Sequence, residues 1–321
     1  MPTTTRRKFI SNTSMLMAGL ALAGSSSLVK KNNPHLSFSS LGCPDWDLPK
    51  IVDFAANNGY DGIAIRGILR QLDLAKVPDF SANKINATIR MVSDAGLKIV
   101  ELGTSAHLHD ADSQKRKKNL EEAKGFIDMS HKLNCPYIRV FPDEIPEGQG
   151  REETFDLIIK GLRELADYAK GSKVSILLEC SSGISGDFVK ADDLNFLMTN
   201  ADDPRVGLLW NPSHMWSVTK EPPALVYKKL KKYIKHAHIK DLKLVNGAIQ
   251  GAVSYNVLLG EGEAPVSEAI KSLYKGHYNG SYCCEWEKFW YPDIQEPEIV
   301  FAHFSKEMKK IFKAVDAEKG G

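Results

Sequence analysis

Apolar runs rich in β-branched residues recur along the chain, and stretches with helical periodicity separate them. Several runs are apolar almost without alternation, as expected for strands that have both faces buried in a parallel sheet. We therefore predict eight parallel strands, within the segments HLSFSSLG from residue 35, YDGIAIRG from 60, LKIVELGTS from 97, PYIRVFP from 136, KVSILLECS from 173, VGLLWNPSH from 206, IKHAHIKD from 234 and SYCCEWE from 281.

Each predicted strand is followed by a segment whose apolar residues recur at helical spacing. The segment that begins at Ile85 ends on Gly96, and glycine is favoured just beyond helix C-termini. The predicted helices are Leu48–Asn57, Ile85–Gly96, Ser113–Leu133, Glu152–Lys170, Ala191–Asn200, Leu225–Tyr233, Pro265–Tyr274 and Glu298–Ala317.

Eight strand–helix units of this kind can close into a (β/α)8 barrel, because consecutive parallel strands need crossover helices. The alternative α/β architecture is a doubly wound open sheet, which usually carries a Gly-rich phosphate loop after its first strand. Here SSLGCPDWDLPK follows the first strand without a GxGxxG motif, and LGEGEAP near Gly260 does not follow a strand at the right place. The pattern therefore predicts an α/β fold of the TIM-barrel type, as one domain over residues 35–321.

The first 34 residues have a different character. Arg6 and Arg7 precede an apolar run from Met15 to Ala23, and small residues follow. This layout is typical of a secretory signal, and the paired arginines indicate twin-arginine export. The apolar run is about ten residues, whereas a membrane span needs about 20. We predict a twin-arginine signal and linker over residues 1–34, a periplasmic or otherwise exported protein, and no membrane anchor after cleavage; a disordered tail is the alternative.

Charge and cysteine content narrow the function classes. Without three basic residues near the N-terminus, 39 of the 42 basic residues remain against 40 acidic ones. This balance argues against a broad nucleic-acid-binding surface. The 5 cysteines are odd in number, widely spread and without CxxC spacing, which disfavours both a disulfide scaffold and a cysteine zinc site.

Polar side chains stand where the last four predicted strands end: Glu179 on the fifth, Asn211 on the sixth, His238 on the seventh and Glu285 on the eighth. Active sites of (β/α)8 barrels lie at the carboxyl ends of the strands, so these four side chains can converge. Hard oxygen ligands with one imidazole suit Mn2+, Co2+, Mg2+ or Zn2+. Such a dication polarises a carbonyl, and two flanking carboxylates can move protons between adjacent carbons.

Each of these residues also has an ordinary structural interpretation. A lone Glu at a strand end is often a salt-bridge partner or a helix N-cap. His236 and His238 point to one face, so one of them can be a core histidine. Glu285 and Glu287 also share a face, so one of them can be a partner of Lys288. The conjunction of four strands, rather than any single residue, predicts the metal site.

Seven segments together resemble the sugar phosphate isomerase/epimerase family, the xylose isomerase-like TIM barrels: LGCPDWDL, GYDGIAIRG, LLEC, GLLWNPSH, HAHIKD, LGEGEAP and EWEKFWYPDIQEPE. The resemblance extends from about Leu36 to Lys313. It implies a single barrel that binds one divalent metal through side chains of strands 5 to 8. Carried over to this chain, the metal ligands are Glu179, Asn211, His238 and Glu285, and His214 is a substrate contact.

The sequence departs from the family pattern at three positions. Asn211 stands where the family usually has Asp, Ser181 where many relatives have His, and Ala64 where Glu is common. The Asn amide oxygen is a legitimate hard ligand, but it brings no negative charge. We therefore expect weaker metal binding and a more strongly Lewis-acidic ion.

The resemblance implies a metal-dependent isomerase or epimerase that acts on a sugar or keto-sugar through an enediolate. Glu179 and Glu285 would remove and return a proton next to the carbonyl, and His214 would hold or protonate a hydroxyl. Further predicted substrate contacts are Arg66, His107, Lys240 and Trp290. Export favours free sugars, oxidised glycosides or polyols over sugar phosphates.

Two other functions stay open at this point. One is a lyase or dehydratase that acts on keto-glycosides or cyclic polyols. The other is a carbohydrate-binding barrel without catalysis, which Asn211 and Ser181 keep in consideration. A DNA-repair endonuclease of the same fold is disfavoured by export and by the near-neutral charge. The oligomeric state is left open.

Overall fold

The computed structural model describes residues 34–180, 187–244 and 254–320. The predicted signal, before residue 34, and Ser181 lie outside these ranges. The strands are β1 His35–Ser39, β2 Gly62–Ile65, β3 Lys98–His107, β4 Tyr137–Phe141, β5 Ser175–Glu179, β6 Val206–Trp210, β7 Ile234–Ile239, β8 Asp241–Leu244, β9 Ser254–Val257 and β10 Ser281–Cys284. The helices are α1 Leu48–Asn57, α2 Ile85–Asp94, α3 Ser113–Lys132, α4 Arg151–Tyr168, α5 Ala191–Ala201, α6 Pro212–Thr219, α7 Pro223–Leu230, α8 Val266–Lys275 and α9 Pro297–Gly320.

The eight predicted strands are confirmed, and they form a closed parallel barrel in the order β1-β10-β7-β6-β5-β4-β3-β2. β1 closes the barrel by pairing in parallel with both β2 and β10. Closure leaves no unpaired edge in the barrel, and all carboxyl ends lie at one mouth. The predicted (β/α)8 fold is therefore confirmed.

Strand alternation decides which side chains enter the barrel. His236 and His238 on β7 are both buried, and alternate residues of one strand share a face. Cys283 on the neighbouring β10 is paired with His238, and Ser281 Oγ lies 2.6 Å from Ser37 Oγ. A polar stripe therefore runs up the inside of the barrel toward its mouth.

The outer layer is apolar and aromatic. Phe38 of β1 stacks on Phe301 of α9 with ring centroids 4.2 Å apart, and Tyr60 donates a hydrogen bond to the Phe301 carbonyl at 2.6 Å. A Cβ at Gly42 would lie 2.7 Å from the Phe301 ring and 2.8 Å from Trp286 Cβ, so only glycine fits there. These contacts fix the first strand against the last helix and complete the closure. None of the described helices has the length and apolar character needed to cross a bilayer.

Two features differ from the predicted pattern. NPSH, the end of the predicted strand segment VGLLWNPSH, begins the helix α6, with Pro212 in its first turn and Asn211 as its N-cap. Proline fits the first turn of a helix because its missing N–H has no intrahelical partner there. An antiparallel pair, β8 and β9, also extends from the end of β7.

Asp241 fixes the base of this extra hairpin. Its carboxylate accepts hydrogen bonds from the backbone N–H groups of Leu242 at 2.9 Å, Gly260 at 2.9 Å and Gly262 at 3.0 Å. The segment LGEGEAP therefore has a structural role: it returns the chain from β9 to the barrel and is held at one buried side chain. The 5 cysteines are all buried and free, in agreement with the expectation that no disulfide scaffold is present.

Candidate functional site

The fold brings the four predicted ligands together at the barrel mouth. Glu179 is the last residue of β5, Asn211 follows β6, His238 lies near the end of β7, and Glu285 follows β10. All four are buried. They come from four neighbouring strands of the barrel, which places them side by side although up to 106 positions separate them in the sequence numbering, from 179 to 285.

His238 joins the two carboxylates. Its Nδ1 lies 2.9 Å from Glu179 Oε1 and 3.0 Å from Glu285 Oε1. Burial alone lowers the pKa of His238, but Glu179 and Glu285 outweigh this effect and raise it well above its usual value. In this arrangement the imidazole carries a proton and offsets part of the repulsion between the two carboxylates.

Asn211 is oriented by the helix that it caps. Its Oδ1 accepts a hydrogen bond from the His214 backbone N–H at 3.2 Å, as an N-cap side chain does. Its Nδ2 therefore points the other way and donates to Glu179 Oε1 at 3.1 Å and to Glu285 Oε2 at 2.8 Å. An aspartate here would cap α6 with one oxygen and still present a second oxygen to the centre. The Asn presents a donor.

Lys240 supplies a second positive charge. Its Nζ lies 2.8 Å from Glu285 Oε2 and 3.3 Å from Glu287 Oε2. Burial by itself lowers the pKa of Lys240, yet Glu285 and Glu287 raise it well above its usual value. Burial raises the pKa of Glu285, but Lys240 and His238 together hold it well below its usual value. Lys240 is therefore part of the centre, and Glu287 pairs with Lys240 rather than with Lys288.

Arg139 completes the charge balance from β4. Its Nε lies 3.4 Å from Glu179 Oε2, and its guanidinium stacks over the Phe141 ring at 4.0 Å. Burial raises the pKa of Glu179, whereas His238 lowers it, and the net shift is downward. Both carboxylates are therefore ionised at neutral pH.

His214 lies in the first turn of α6, close to the centre. Burial, assisted by Lys240, lowers the pKa of His214 to about 4. Its Nε2 makes no hydrogen bond to any described residue. A neutral imidazole with a free ring nitrogen can donate to or accept from a substrate hydroxyl, but it is not a strong acid at neutral pH.

Three predicted substrate contacts have partners outside the centre. Arg66 donates to Ser105 Oγ at 2.7 Å, His107 Nδ1 lies 2.9 Å from Asp143 Oδ2, and Trp290 is 50% exposed beside Phe289. Within the described residues, none of these three makes a hydrogen bond or ion pair with the carboxylates of the centre. Their role as substrate contacts stays a prediction.

Glu101 on β3 is a buried acid that motif spacing alone did not single out. It is 1% exposed, and its Oε1 has no hydrogen-bond partner among the described residues. Burial raises the pKa of Glu101 to about 7, with Arg139 acting in the opposite direction. Gly103, two residues on, leaves the space for two arginines: a Cβ there would lie 2.6 Å from Arg66 Cδ and 2.7 Å from Arg139 Nη2. The signal in the sequence is a lone Glu within an apolar strand.

Three of the four residues of the centre present atoms that can ligate a divalent ion. Glu179, His238 and Glu285 each offer a ligand atom, and these atoms lie within 4.8 Å of one another. The imidazole–carboxylate separations of 2.9 and 3.0 Å match the about 3.0 Å between adjacent ligands of an octahedral ion with bonds of about 2.1 Å. Asn211 is the exception, because its amide directs Nδ2 toward the centre. To offer Oδ1 to an ion, the amide must rotate, and the hydrogen bond that caps α6 is then lost.

The architecture and the centre define a (β/α)8 protein whose candidate site is built at the carboxyl ends of the strands. Residues 52–304 match the family described as xylose isomerase-like TIM barrel. The chain therefore belongs to this family, as the resemblance of its motifs predicted.

Solved structures of the same fold include several enzymes. A D-tagatose 3-epimerase-like protein is 20% identical with a TM-score of 0.68, over 89% of this chain and 100% of that one. The probable 3-DHS dehydratase AsbF of Bacillus anthracis is 16% identical with a TM-score of 0.63, over 86% and 97%. The IOLI protein with a binding zinc atom is 18% identical with a TM-score of 0.66, over 88% and 97%. No match was found among curated proteins.

The raised pKa of Glu101 predicts a pH-dependent stability cost. A carboxyl whose pKa is raised in the folded protein resists ionisation there. Its ionisation therefore lowers the free energy of unfolding increasingly as the pH rises from about 4.5 to about 7. We expect the free energy of unfolding of Glu101→Gln, relative to that of wild type, to increase by about 2 kcal/mol between pH 5 and pH 8. Urea unfolding of both proteins in EDTA at the two pH values measures this difference.

The control is Glu147→Gln, which changes an exposed Glu in the loop before α4. It should show no such pH-dependent gain. Equal stability differences for Glu101→Gln at pH 5 and pH 8 would show that the folded-state carboxyl titrates normally.

Proposed function

We propose that the protein is a metal-dependent isomerase or epimerase that moves a proton between adjacent carbons of a sugar or keto-sugar. The observation that supports this most directly is the pair of buried, ionised carboxylates, Glu179 and Glu285, which face one point at the barrel mouth. The epimerase-like and dehydratase structures of the same fold act as analogies only.

Glu179 and Glu285 would exchange the proton. Both are ionised at neutral pH, so either can act as a base toward a carbon-bound proton next to a carbonyl. They come from β5 and β10, whose places in the barrel are separated by β6 and β7, so they approach a substrate from two sides. Removal on one side and return on the other inverts a stereocentre, and return at the neighbouring carbon isomerises the sugar.

The ligand atoms at the centre support the proposed metal requirement. Glu179, His238 and Glu285 would hold the ion after His238 has released the proton of its ligating nitrogen, with Asn211 as a fourth ligand after its amide has turned. A bound dication would supply a Lewis acid that increases the acidity of the proton next to a carbonyl. Mn2+, Co2+, Mg2+ and Zn2+ are the ions that the mixed oxygen and nitrogen donors suit.

Lys240 and His214 would act on substrate oxygens. Lys240 keeps its proton at neutral pH because of Glu285 and Glu287, so it stabilises negative charge on an oxygen rather than donating a proton. His214, neutral because its pKa is about 4, would hold a hydroxyl by a hydrogen bond. These two residues orient the sugar, while the carboxylates carry out the proton transfer.

Glu179→Gln tests the proton transfer. We expect wild type with Mn2+ to exchange the proton next to the carbonyl for deuterium in a panel of free ketohexoses that includes D-tagatose. The amide cannot accept the proton, so exchange should fall by about 10²- to 10⁴-fold. Proton NMR in D2O follows the exchange, with Glu153→Gln, an exposed change on α4, as the matched control.

Two results would redirect the proposal. Full exchange by Glu179→Gln rules out Glu179 as the base. Loss of water, seen as a new ultraviolet-absorbing enone from a keto-glycoside, would assign the protein to the lyases instead.

Asn211→Asp tests the placement of the fourth ligand. The new carboxylate can cap α6 with one oxygen and offer the other to the ion, and it adds one negative charge. We expect Mn2+ affinity to increase at least about tenfold, as measured by isothermal titration calorimetry. Asn134→Asp, which adds the same charge to an exposed residue between α3 and β4, should leave affinity unchanged. Unchanged affinity in Asn211→Asp would remove this residue from the ligand set.

We also propose that the protein works outside the cytoplasm, because Arg6 and Arg7 precede a short apolar run. Expressed at full length in a host with the twin-arginine pathway, it should be recovered in the periplasm. The double variant Arg6→Lys, Arg7→Lys should lower the periplasmic fraction of the protein at least tenfold, with total expression unchanged. Cell fractionation measures both quantities. Equal export of the double variant would contradict the assignment of the signal.

A further inference from the structure

We propose that His107, His109 and Asp143 form a second divalent-cation site, which we call the rim site. His107 ends β3, His109 follows it two residues later, and Asp143 lies two residues after β4. The two strands are neighbours, with His107 paired to Phe141. The rim site therefore lies at the barrel mouth and shares no residue with the centre formed by Glu179, His238 and Glu285.

Two ring nitrogens approach one carboxylate oxygen. Asp143 Oδ2 lies 2.9 Å from His107 Nδ1 and 4.0 Å from His109 Nδ1. The three ligand atoms lie within 4.8 Å of one another. A tetrahedral ion with bonds of about 2.1 Å separates its ligands by about 3.4 Å, which falls between the two measured distances.

Both histidines leave Nδ1 without a hydrogen bond in the described part of the chain. For His107 the contact with Asp143 is short but lacks hydrogen-bond geometry. His109 is only 8% exposed, and an unsatisfied buried nitrogen is costly unless a further partner is present. A cation between the rings would satisfy both nitrogens at once.

The surroundings fix His109 for such a role. Its Nε2 lies 3.9 Å from Asp110 Oδ2, so a carboxylate faces the nitrogen on the far side of the ring. That separation is too long for a hydrogen bond, so Asp110 adds negative charge beside the rim site rather than orienting the ring. Gln149 Nε2 donates to the His109 carbonyl at 2.9 Å and holds the backbone.

The rim site is open on one side. The side chain of His107 is 35% exposed and that of Asp143 is 24% exposed, so an ion has an entry path and room for a water ligand. His107 is held at the other side by stacking on Phe141, with ring centroids 5.4 Å apart. Two imidazoles with one carboxylate favour Zn2+ or Co2+ over Mg2+, which prefers oxygen ligands.

Metal titration of the full-length protein in a His238→Ala background tests the rim site without a contribution from the centre. We expect one equivalent of Zn2+ by calorimetry, and the intense visible bands of four-coordinate Co2+. Adding His109→Ala or Asp143→Asn should weaken Zn2+ binding at least tenfold and abolish the Co2+ bands. His131→Ala, an exposed change on α3, is the control and should keep both signals.

Glu285→Gln provides a second background in which the centre is impaired, in case His238→Ala does not fold. The rim site would be wrong if adding His109→Ala to His238→Ala, or to Glu285→Gln, left Zn2+ binding unchanged. It would also be wrong if wild type and the His109→Ala single variant bound the same number of Zn2+ equivalents. A centre that binds no metal would give a different result. Wild type would then bind one equivalent of Zn2+ at the rim site, and the His109→Ala single variant would bind none.

Discussion

Two buried carboxylates that share one imidazole are the constraint on which the barrel mouth depends. Glu179 is 2% and Glu285 8% exposed, and removing such charges from water is costly unless counter-charges and hydrogen bonds accompany them. His238 on β7 and Lys240 directly after it supply positive charge, and Arg139 supplies it from β4. The parallel barrel is what makes this possible, because closure brings strands that are distant in sequence to one ring. The buried carboxylates therefore depend on the closed barrel for their counter-charges.

The periodicity of the chain predicted most of the fold because both faces of each barrel strand are buried. That requirement gives apolar runs such as SILL before Glu179 and GLLW before Asn211, and polar residues directly after them mark the mouth. The four residues of the centre could be predicted for the same reason: position at a strand end is a local property, and the barrel turns it into proximity. The match of residues 52–304 confirms the predicted family resemblance.

The rest depends on contacts that no local pattern encodes. The orientation of the Asn211 amide is set by the His214 backbone N–H, which exists only once α6 has formed. Glu101 resembles any acid in a strand until its neighbours exclude water from it. Asp143 meets His107 only because β3 and β4 are paired, and nothing in PDEIPEG indicates a metal ligand. Lys240 was predicted as a substrate contact, and its pairing with Glu285 and Glu287 emerges from the register of β7 beside β10.

Asp241 has a consequence for how this barrel can diversify. It follows Lys240 directly, and it ties together a backbone segment that leaves at Leu242 and returns at Gly260 and Gly262. The carboxylate thus closes the base of the β8–β9 hairpin directly beside Lys240. The position of Lys240 is therefore set on the barrel side of the hairpin, where Asp241 fixes the backbone. The charges at the barrel mouth and the length of this hairpin are therefore separable features of the chain.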